Sequence, residues 1–231
     1  MRIAVIHHLA QSFLGHAGPP LAGADLDERF RGAPLPELDG VDGIVSFGGE
    51  QSVTAPADLE PEAALLREAV AREIPVLGVC LGAQLLAHAL GGSVARRERR
   101  LVDWVALEAL PAAAGDPVLG ALPPDAHGLH WNEDGFEPPP GAVELLRRPD
   151  AGGAEAFRCG SAWGVQFHPE VDGPALDGWY AGWPAAVTAA GTTEAAARAA
   201  DAEHLPGQAE LSAAIFGGFL SVVREGARAR A

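Results

Sequence analysis

Residues 74–82 read IPVLGVCLG, an apolar run followed by a cysteine that stands between two glycines. A short apolar run bounded by turn residues is typical of a buried strand. Gly78 and Gly82 allow the chain to reverse without a clash at Cβ, so the pattern predicts a strand that turns tightly into a helix. We expect Cys80 to be exposed at this turn.

The segment after the turn has the pattern of a short amphipathic helix. Leu85, Leu86 and Leu90 follow Cys80 at helical spacing, and residues 91–92 are the glycines that end the segment. Free backbone N–H groups and the positive end of a helix favour thiolate over thiol, and thiolate is the form that attacks carbonyl carbon. A lone cysteine is more often a small core residue, but the flanking glycines favour a nucleophile.

A second motif supplies a histidine and a carboxylate. Residues 162–170 read AWGVQFHPE, in which the alternation up to Phe167 predicts a strand that ends at His168. His168 and Glu170 are two apart and point the same way on an extended chain, so the carboxylate can orient the imidazole while its other nitrogen reaches Cys80. An α/β-hydrolase places its acid before its histidine, so the order argues against that fold. The alternative for His168 is an ordinary hydrogen-bonded histidine at a strand end.

These two motifs resemble the class I glutamine amidotransferase family, and most of all its free-standing, GMP-synthase-like members. The resemblance is carried by residues 78–92 (GVCLGAQLLAHALGG) and 163–171 (WGVQFHPEV). Residues 38–49 are similar to the family's oxyanion strand, and residues 130–140 to its second glutamine-contacting loop. The resemblance implies an α/β, flavodoxin-like three-layer sandwich with a central, mostly parallel sheet. It implies one domain over 1–231, with a helical C-terminal extension at about 171–231.

The same resemblance assigns roles to individual residues. It makes Cys80 the nucleophile, His168 the general base and acid, and Glu170 the group that orients the histidine. Backbone N–H groups of Gly49 and Leu81 would form the oxyanion hole, a role that bare backbone at a glycine suits. The expected substrate contacts are Gly48, Gln84, Asn132, Asp134, Gly135 and Phe136. Glutamine also occurs widely on exposed helix surfaces, which is the alternative for Gln84.

Two segments depart from the family pattern. Residues 48–52 read GGEQS where relatives often have Gly-Gly-Pro, which puts the carboxylate of Glu50 near the pocket mouth. Either this loop rearranges on substrate binding or Glu50 points to solvent. Residues 130–136 read HWNEDGF where many relatives have a His-Gly-Asp-like turn.

The implied activity is hydrolysis of the glutamine side-chain amide through a γ-glutamyl thioester, without a metal or organic cofactor. About sixty residues follow His168 and no glycine-rich phosphate loop occurs, so we expect an ammonia acceptor to bind a separate synthase subunit. One alternative is a hydrolase of another γ-glutamyl compound, with the pocket reshaped around Glu50 and residues 132–134. The other is a non-catalytic regulatory subunit.

Composition indicates which kinds of partner and which compartment to expect. A net charge of −15, from 31 acidic against 16 basic residues, disfavours nucleic acid and anionic membranes. The histidines at 7–8, 127 and 130 lack a ligand cluster at a recognised spacing, so no metal site is expected. Two cysteines make no disulfide framework, and no apolar run reaches membrane length. We expect a cytoplasmic protein, and its oligomeric state stays open.

Pattern analysis also predicts the order of elements. Strands are expected near 2–6, 43–47, 75–79, 101–107, 143–147, 154–158 and 162–167, and helices near 60–72, 82–90, 173–190, 194–203 and 207–228. The Gly- and Pro-rich stretch 10–37 is expected to wrap the surface with one short helix at 24–31. The basic run 96–100 is interpreted as a solvated connection, or alternatively as a docking patch. Trp179 and Trp183 share one helix face that packs on the domain or binds a partner.

Overall fold

The computed structural model describes residues 1–9, 13–55, 58–149 and 153–230. The strands are β1 (Arg2–His7), β2 (Asp25–Phe30), β3 (Gly43–Ser46), β4 (Val76–Val79), β5 (Ser93–Ala106), β6 (Glu108–Ala109), β7 (His127–Glu137), β8 (Val143–Arg147), β9 (Ala154–Cys159) and β10 (Ala162–Val165). The α-helices are α1 (Gly18–Leu21), α2 (Glu60–Ala71), α3 (Leu81–Ala89), α4 (Gly173–Gly182), α5 (Pro184–Ala189), α6 (Glu194–His204) and α7 (Gln208–Arg230). Shorter 3-10 helices are Gly15–Ala17, Pro111–Gly115 and Leu205–Gly207.

An eight-stranded, mostly parallel sheet forms the centre of the protein. The strand order is β2-β1-β3-β4-β10-β9-β8-β6, in which the first five strands are parallel and the last three are antiparallel to their neighbours. Strands β3, β4 and β10 are buried at every position, as expected where helices cover both faces of a sheet. The predicted α/β fold with a central, mostly parallel sheet is confirmed.

Alternate residues of the strands contribute to two cores on opposite faces. Ile3 and Val5 of β1 belong to the core on the α7 face, whereas Ala4 and Ile6 belong to the core on the α2 and α3 face. Helix α7 contributes an apolar stripe of Leu211, Ile215, Phe216, Phe219, Leu220 and Val223. The three layers of helix, sheet and helix follow from this alternation.

Strands β5 and β7 form a separate antiparallel ribbon, and helices α4, α5 and α6 pack against it. The register of the ribbon shifts between Arg96 and Leu101. A third core joins the ribbon to α4, α5 and α6. Within it Asp201 accepts hydrogen bonds from the indole of Trp104 at 2.8 Å and the hydroxyl of Tyr180 at 2.7 Å. These bonds hold α4 and α6 against the ribbon.

Two segments differ from their predicted structures for local reasons. Residues 25–30 form β2 instead of the predicted short helix, because they pair in parallel with β1 along its whole length. Charged side chains suit such an edge strand, and Asp27 there forms ion pairs with Arg2 and Arg29. The predicted helix 173–190 is two helices, because Pro184 keeps Trp183 out of the helical conformation, at φ −131° and ψ 53°.

The basic run and the second loop also have a different structure. Residues 96–100 lie within β5, so the interpretation as a connection is wrong, although the run is exposed or half-buried as expected. Arg96 and Arg100 form ion pairs with Glu133 of β7. Residues 130–137 of the predicted loop 130–140 belong to strand β7. The other predicted elements lie within two residues of their expected ends, apart from β5, which begins earlier. Residues 10–12 of the stretch 10–37 lie outside the described residues.

The helices are too short or too polar to cross a bilayer. Over residues 1–9, 13–55, 58–149 and 153–230, each of them lacks the combined length and apolarity that a membrane span needs.

Helix α7 approaches its neighbour so closely that Gly218 has no room for a side chain. A Cβ there would lie 2.5 Å from the carbonyl oxygen of Pro117, whereas a Cβ at Gly217 would meet no atom within 4 Å. We predict that Gly218→Ala lowers the free energy of unfolding by about 1–3 kcal/mol through overpacking. Gly217→Ala should raise it by about 0.5–1 kcal/mol, because alanine is the better helix former. Urea denaturation of both variants measures this, and equal effects would contradict the packing of α7.

Candidate active site

Cys80 lies at the tight turn between β4 and α3. Its backbone has φ 52° and ψ −106°, an unusual conformation for a residue with a side chain. The turn packs tightly, since a Cβ on Gly82 would lie 2.0 Å from the carbonyl oxygen of Ser46. The N–H of Cys80 donates to the carbonyl of Val165 at 2.8 Å, which ties the turn to the end of β10. Cys80 is only 5% exposed, so the expectation of an exposed thiol is wrong.

His168 and Glu170 follow β10 and form a short hydrogen bond. Nδ1 of His168 donates to Oε1 of Glu170 at 2.7 Å, and both residues are buried. The backbone of His168 is held on both sides, because its N–H donates to Leu129 of β7 at 2.9 Å and its carbonyl accepts from Gln208 of α7 at 2.6 Å. The imidazole is therefore fixed in orientation, with Nε2 left as its second functional nitrogen.

Cys80 and His168 meet beside Gly48. A Cβ built on Gly48 would lie 2.6 Å from Cε1 of His168 and 3.5 Å from Cβ of Cys80. The two side chains thus border the same small space, although they are 88 positions apart in the sequence. The interpretation of His168 as an ordinary strand-end histidine does not account for this convergence.

The charges around His168 favour its protonated form. Burial by itself lowers the pKa of the imidazole, but attraction to Glu170 and to Cys80, with hydrogen bonds to the same two groups, raises the pKa of His168 to about 10. A buried imidazolium next to the sulfur can stabilise a thiolate and can give its proton to a leaving group.

A cleft of about 520 Å³ opens over these residues. Four of the six predicted substrate contacts line it, together with Gly49 and Leu81 of the predicted oxyanion hole; the four are Gly48, Gln84, Asn132 and Asp134. Phe136 lies farther along β7 and packs edge-on against Phe157, with ring centroids 5.2 Å apart. Gly135 also lies outside the cleft lining, next to the guanidinium of Arg97.

One side of the cleft is a buried amide network. Gln84 is 3% exposed, which excludes the exposed-helix alternative, and its Nε2 donates to the carbonyl of Asp134 at 3.0 Å. The same nitrogen lies 3.3 Å from Oε1 of Gln166, whose own Nε2 lies 3.9 Å from Sγ of Cys80. The carboxylate of Asp134 accepts a hydrogen bond from Ser52. This network links the wall of the cleft to the sulfur.

Sequence analysis did not identify Gln166 as a site residue. The available signal was its spacing of two residues from His168, because alternate residues of the predicted strand share a face. In the structure β10 ends at Val165 and residues 166–170 form bends and a turn, so strand alternation does not explain the position of Glu170.

Glu50 bridges the mouth of the cleft. Its carboxylate accepts a hydrogen bond from the indole N–H of Trp183 and lies 3.9 Å from the guanidinium of Arg31. Glu50 is about half exposed, at 50% for the side chain. The carboxylate therefore binds across the mouth instead of simply extending into solvent.

Buried histidine and carboxylate pairs surround the site. His8 hydrogen bonds to the carbonyl of Phe47 at 2.9 Å and to Glu62 at 2.8 Å, directly behind the loop that carries Gly48. His130 and Glu155 are fully buried, with Nε2 and Oε2 3.0 Å apart. Over the part of the chain that the structure describes, histidines, cysteines and carboxylates do not gather in threes in a way that would hold a metal ion.

A known protein family matches the part of the chain that builds this site. Residues 25–178, which include Cys80, His168 and Glu170, match the family model described as glutamine amidotransferase class-I. The chain belongs to the class I glutamine amidotransferase family. The resemblance seen in residues 78–92 and 163–171 is thereby confirmed.

Relatives of this chain include subunits of glutamine-hydrolyzing GMP synthases. One such subunit, from Haloquadratum walsbyi, is 40% identical over 101 residues, which cover 43% of this chain and 54% of that protein. The corresponding subunit from Haloarcula marismortui is 34% identical over 151 residues, covering 64% and 74%. The chain thus spans about half the length of the first of these relatives.

Solved structures have the same fold over nearly the whole chain. The crystal structure of a glutamine amidotransferase from Methylobacillus flagellatus has a TM-score of 0.82 at 25% identity, covering 95% of this chain and 94% of that one. A glutamine amidotransferase from Thermotoga maritima has a TM-score of 0.83 at 23% identity, covering 97% and 98%, which is a likeness of fold.

The raised pKa of His168 predicts how this side chain titrates. The imidazolium should persist at pH 8 and lose its proton near pH 10, whereas an unperturbed histidine titrates near about 6.5. The contribution of this charge to folding is complete below about pH 6.5 and is lost as the pH rises through 10. Nitrogen-15 NMR of the imidazole measures the titration.

Two variants serve as controls for this titration. Cys80→Ala removes one of the attractions and should lower the pKa of His168, and Glu170→Gln should lower it further because Glu170 is the largest favourable influence. A His168 that is already neutral at pH 8 in the unmodified protein would contradict the ion pair between His168 and Glu170.

Proposed function

We propose that this protein hydrolyses the side-chain amide of glutamine to glutamate and ammonia, with Cys80 as nucleophile, His168 as general acid and base, and Glu170 as the orienting carboxylate. The observation that carries the proposal is the convergence of Cys80 and the His168–Glu170 pair in one cleft of a class I glutamine amidotransferase. Nucleophile, base and orienting group are the three parts that triad chemistry needs.

The reaction has two halves. The thiolate of Cys80 attacks the carboxamide carbon, and the tetrahedral intermediate collapses as the C–N bond breaks. His168 gives its proton to the departing nitrogen, which leaves as ammonia. The side chain of His168 is then a neutral imidazole. Water then attacks the γ-glutamyl thioester, and its proton passes to His168 while glutamate and the thiolate are released. The imidazolium and thiolate of the resting enzyme are thus restored.

The negative oxygen of each tetrahedral intermediate needs hydrogen-bond donors. Backbone N–H groups of Gly49 and Leu81 line the cleft beside Cys80, and within the described residues they donate to no protein acceptor. Leu81 is the first residue of α3, so the positive end of the helix adds to the effect. Fixed amides in a buried site are the usual means of stabilising such an oxyanion.

The amino-acid end of glutamine would bind on the amide side of the cleft. Asp134 offers a carboxylate to the α-ammonium group, and Asn132 has a buried Oδ1 that finds no partner among the described residues. Gln84 already donates its N–H groups to Asp134 and Gln166, so its carbonyl oxygen is the atom left for substrate. Gly135 and Phe136 would then support this wall from behind.

Ammonia released at Cys80 would be used by a separate synthase subunit in the cytoplasm. The relatives include proteins named as subunits of glutamine-hydrolyzing GMP synthases, which supports a partner of that kind. The nitrogen acceptor would bind that partner.

Substitution of the nucleophile tests the proposal. Cys80→Ala should abolish release of glutamate and ammonia from glutamine. The variant should keep the circular dichroism spectrum and the unfolding transition of a folded protein. Cys159→Ala is the matched control, because Cys159 ends β9 away from the cleft, and it should keep full activity. Iodoacetamide should label Cys80 faster than Cys159. Faster labelling of Cys159, or an active Cys80→Ala protein, would refute the assignment.

Substitution of the base and its partner should have unequal effects. We expect His168→Ala to lower kcat by about 10⁴-fold or more. The loss of kcat in Glu170→Ala should be about 10 to 100 times smaller, because orienting a base contributes less than being one. Steady-state kinetics with glutamine measures both. A larger loss in Glu170→Ala than in His168→Ala would contradict these roles.

A further inference from the structure

The cleft has a second side that free glutamine does not need. The first side, from α3, β7 and the loop after β3, carries the polar residues of the amide network together with apolar residues such as Phe47 and Leu81. The second side is apolar and lies along α4 and the residues next to its two ends; it consists of Val171, Pro174, Ala175, Trp179 and Trp183. Cys80 and His168 lie between the two groups and line the same cleft.

The apolar side begins at the catalytic imidazole. The indole of Trp179 packs edge-on against His168, with ring centroids 4.8 Å apart and planes at 71°. The same indole contacts Trp131 at 5.6 Å, so its position is fixed by a second aromatic ring. Trp179 is therefore a rigid wall next to the group that protonates the leaving nitrogen.

The direction of the leaving group follows from the chemistry. If the amino-acid end binds at Asn132 and Asp134, the amide nitrogen must face His168 to receive its proton. Any substituent on that nitrogen would then extend past His168 onto Trp179. Ammonia is about as large as a water molecule, whose share of volume is about 30 Å³. A cleft of about 520 Å³ is in the range that holds ligands much larger than an amino acid.

We propose that the preferred substrates are γ-glutamyl amides whose nitrogen carries an apolar group of about the size of a benzyl ring, bound against Trp179 and Trp183. The inference rests on the proposed cysteine chemistry and extends it to a substrate class. The amide nitrogen takes its proton from His168 and leaves as a primary amine, the γ-glutamyl group stays on Cys80, and water releases glutamate as before.

The apolar lining decides the kind of substituent. The carboxylates at the cleft are paired, Glu50 with Trp183 and Arg31, and Glu133 with Arg96 and Arg100. The free carboxylate of a γ-glutamyl peptide would lose its hydration against Trp179 without gaining a partner there, which is costly. The substituent is therefore an uncharged arylalkyl or alkyl group and not an amino acid.

The test compares three substrates in the complete protein. We expect kcat/KM for γ-glutamylbenzylamide to exceed that for glutamine by about tenfold or more, because filling an apolar pocket commonly gives such factors. γ-Glutamylglycine should be the poorest of the three. A benzylamide that is cleaved no faster than glutamine would overturn the inference and leave the proposed glutaminase intact. Cleavage of benzylamide alone would support the inference against the glutaminase, and no cleavage of any substrate would overturn both.

Variants on the two sides of the cleft separate specificity from general damage. Trp179→Leu should lower the ratio of kcat/KM for benzylamide to that for glutamine by about tenfold, since only the benzyl group uses the indole. Gln84→Ala is the matched control, because it acts on the amino-acid end that both substrates share and should leave the ratio unchanged. An unchanged ratio in Trp179→Leu, or an equal change in both variants, would overturn the assignment.

Discussion

The close contact between the β4–α3 turn and the end of β3 is the constraint on which the site depends. A side chain at Gly82 would collide with the carbonyl oxygen of Ser46, so the turn can be this tight only with bare backbone there. The tightness sets the unusual backbone angles of Cys80 and directs its side chain toward the end of β10. The N–H groups of Gly49 and Leu81, the thiol of Cys80 and the start of α3 are all positioned by this one steric condition.

The order of strands turns that local turn into a shared site. Strands β4 and β10 are parallel neighbours, so the residues that follow them emerge at the same edge of the sheet. The bond from the N–H of Cys80 to Val165 fixes the two motifs in register. Helix α7 and strand β7 then hold the backbone of His168, so distant parts of the chain determine where the imidazole points.

Local rules predict the central strands and the turn at Cys80 well, and the surroundings of the site less well. Glycine spacing predicts the turn, and period-2 alternation predicts the strand that comes before His168. The strand β2 has no apolar pattern and exists because it pairs with β1, a contact that local sequence does not encode. Phe136 shares a face of β7 with Asn132 and Asp134, but the cleft ends before it, and only the packing against Phe157 reveals this. The bend at Trp183 is encoded locally. The proline that follows keeps Trp183 out of the helical conformation, although the surrounding sequence has a helical pattern.

The left-handed backbone at Cys80 has an energetic meaning for the whole fold. A non-glycine residue held in such a conformation costs on the order of 1–3 kcal/mol, a sizeable part of a typical domain's stability. Glycine at this position would relieve the conformational cost and give a more stable protein without the thiol that the proposed reaction needs. The cysteine therefore lowers the thermal stability of the fold, and laboratory selection for heat resistance alone would tend to replace it.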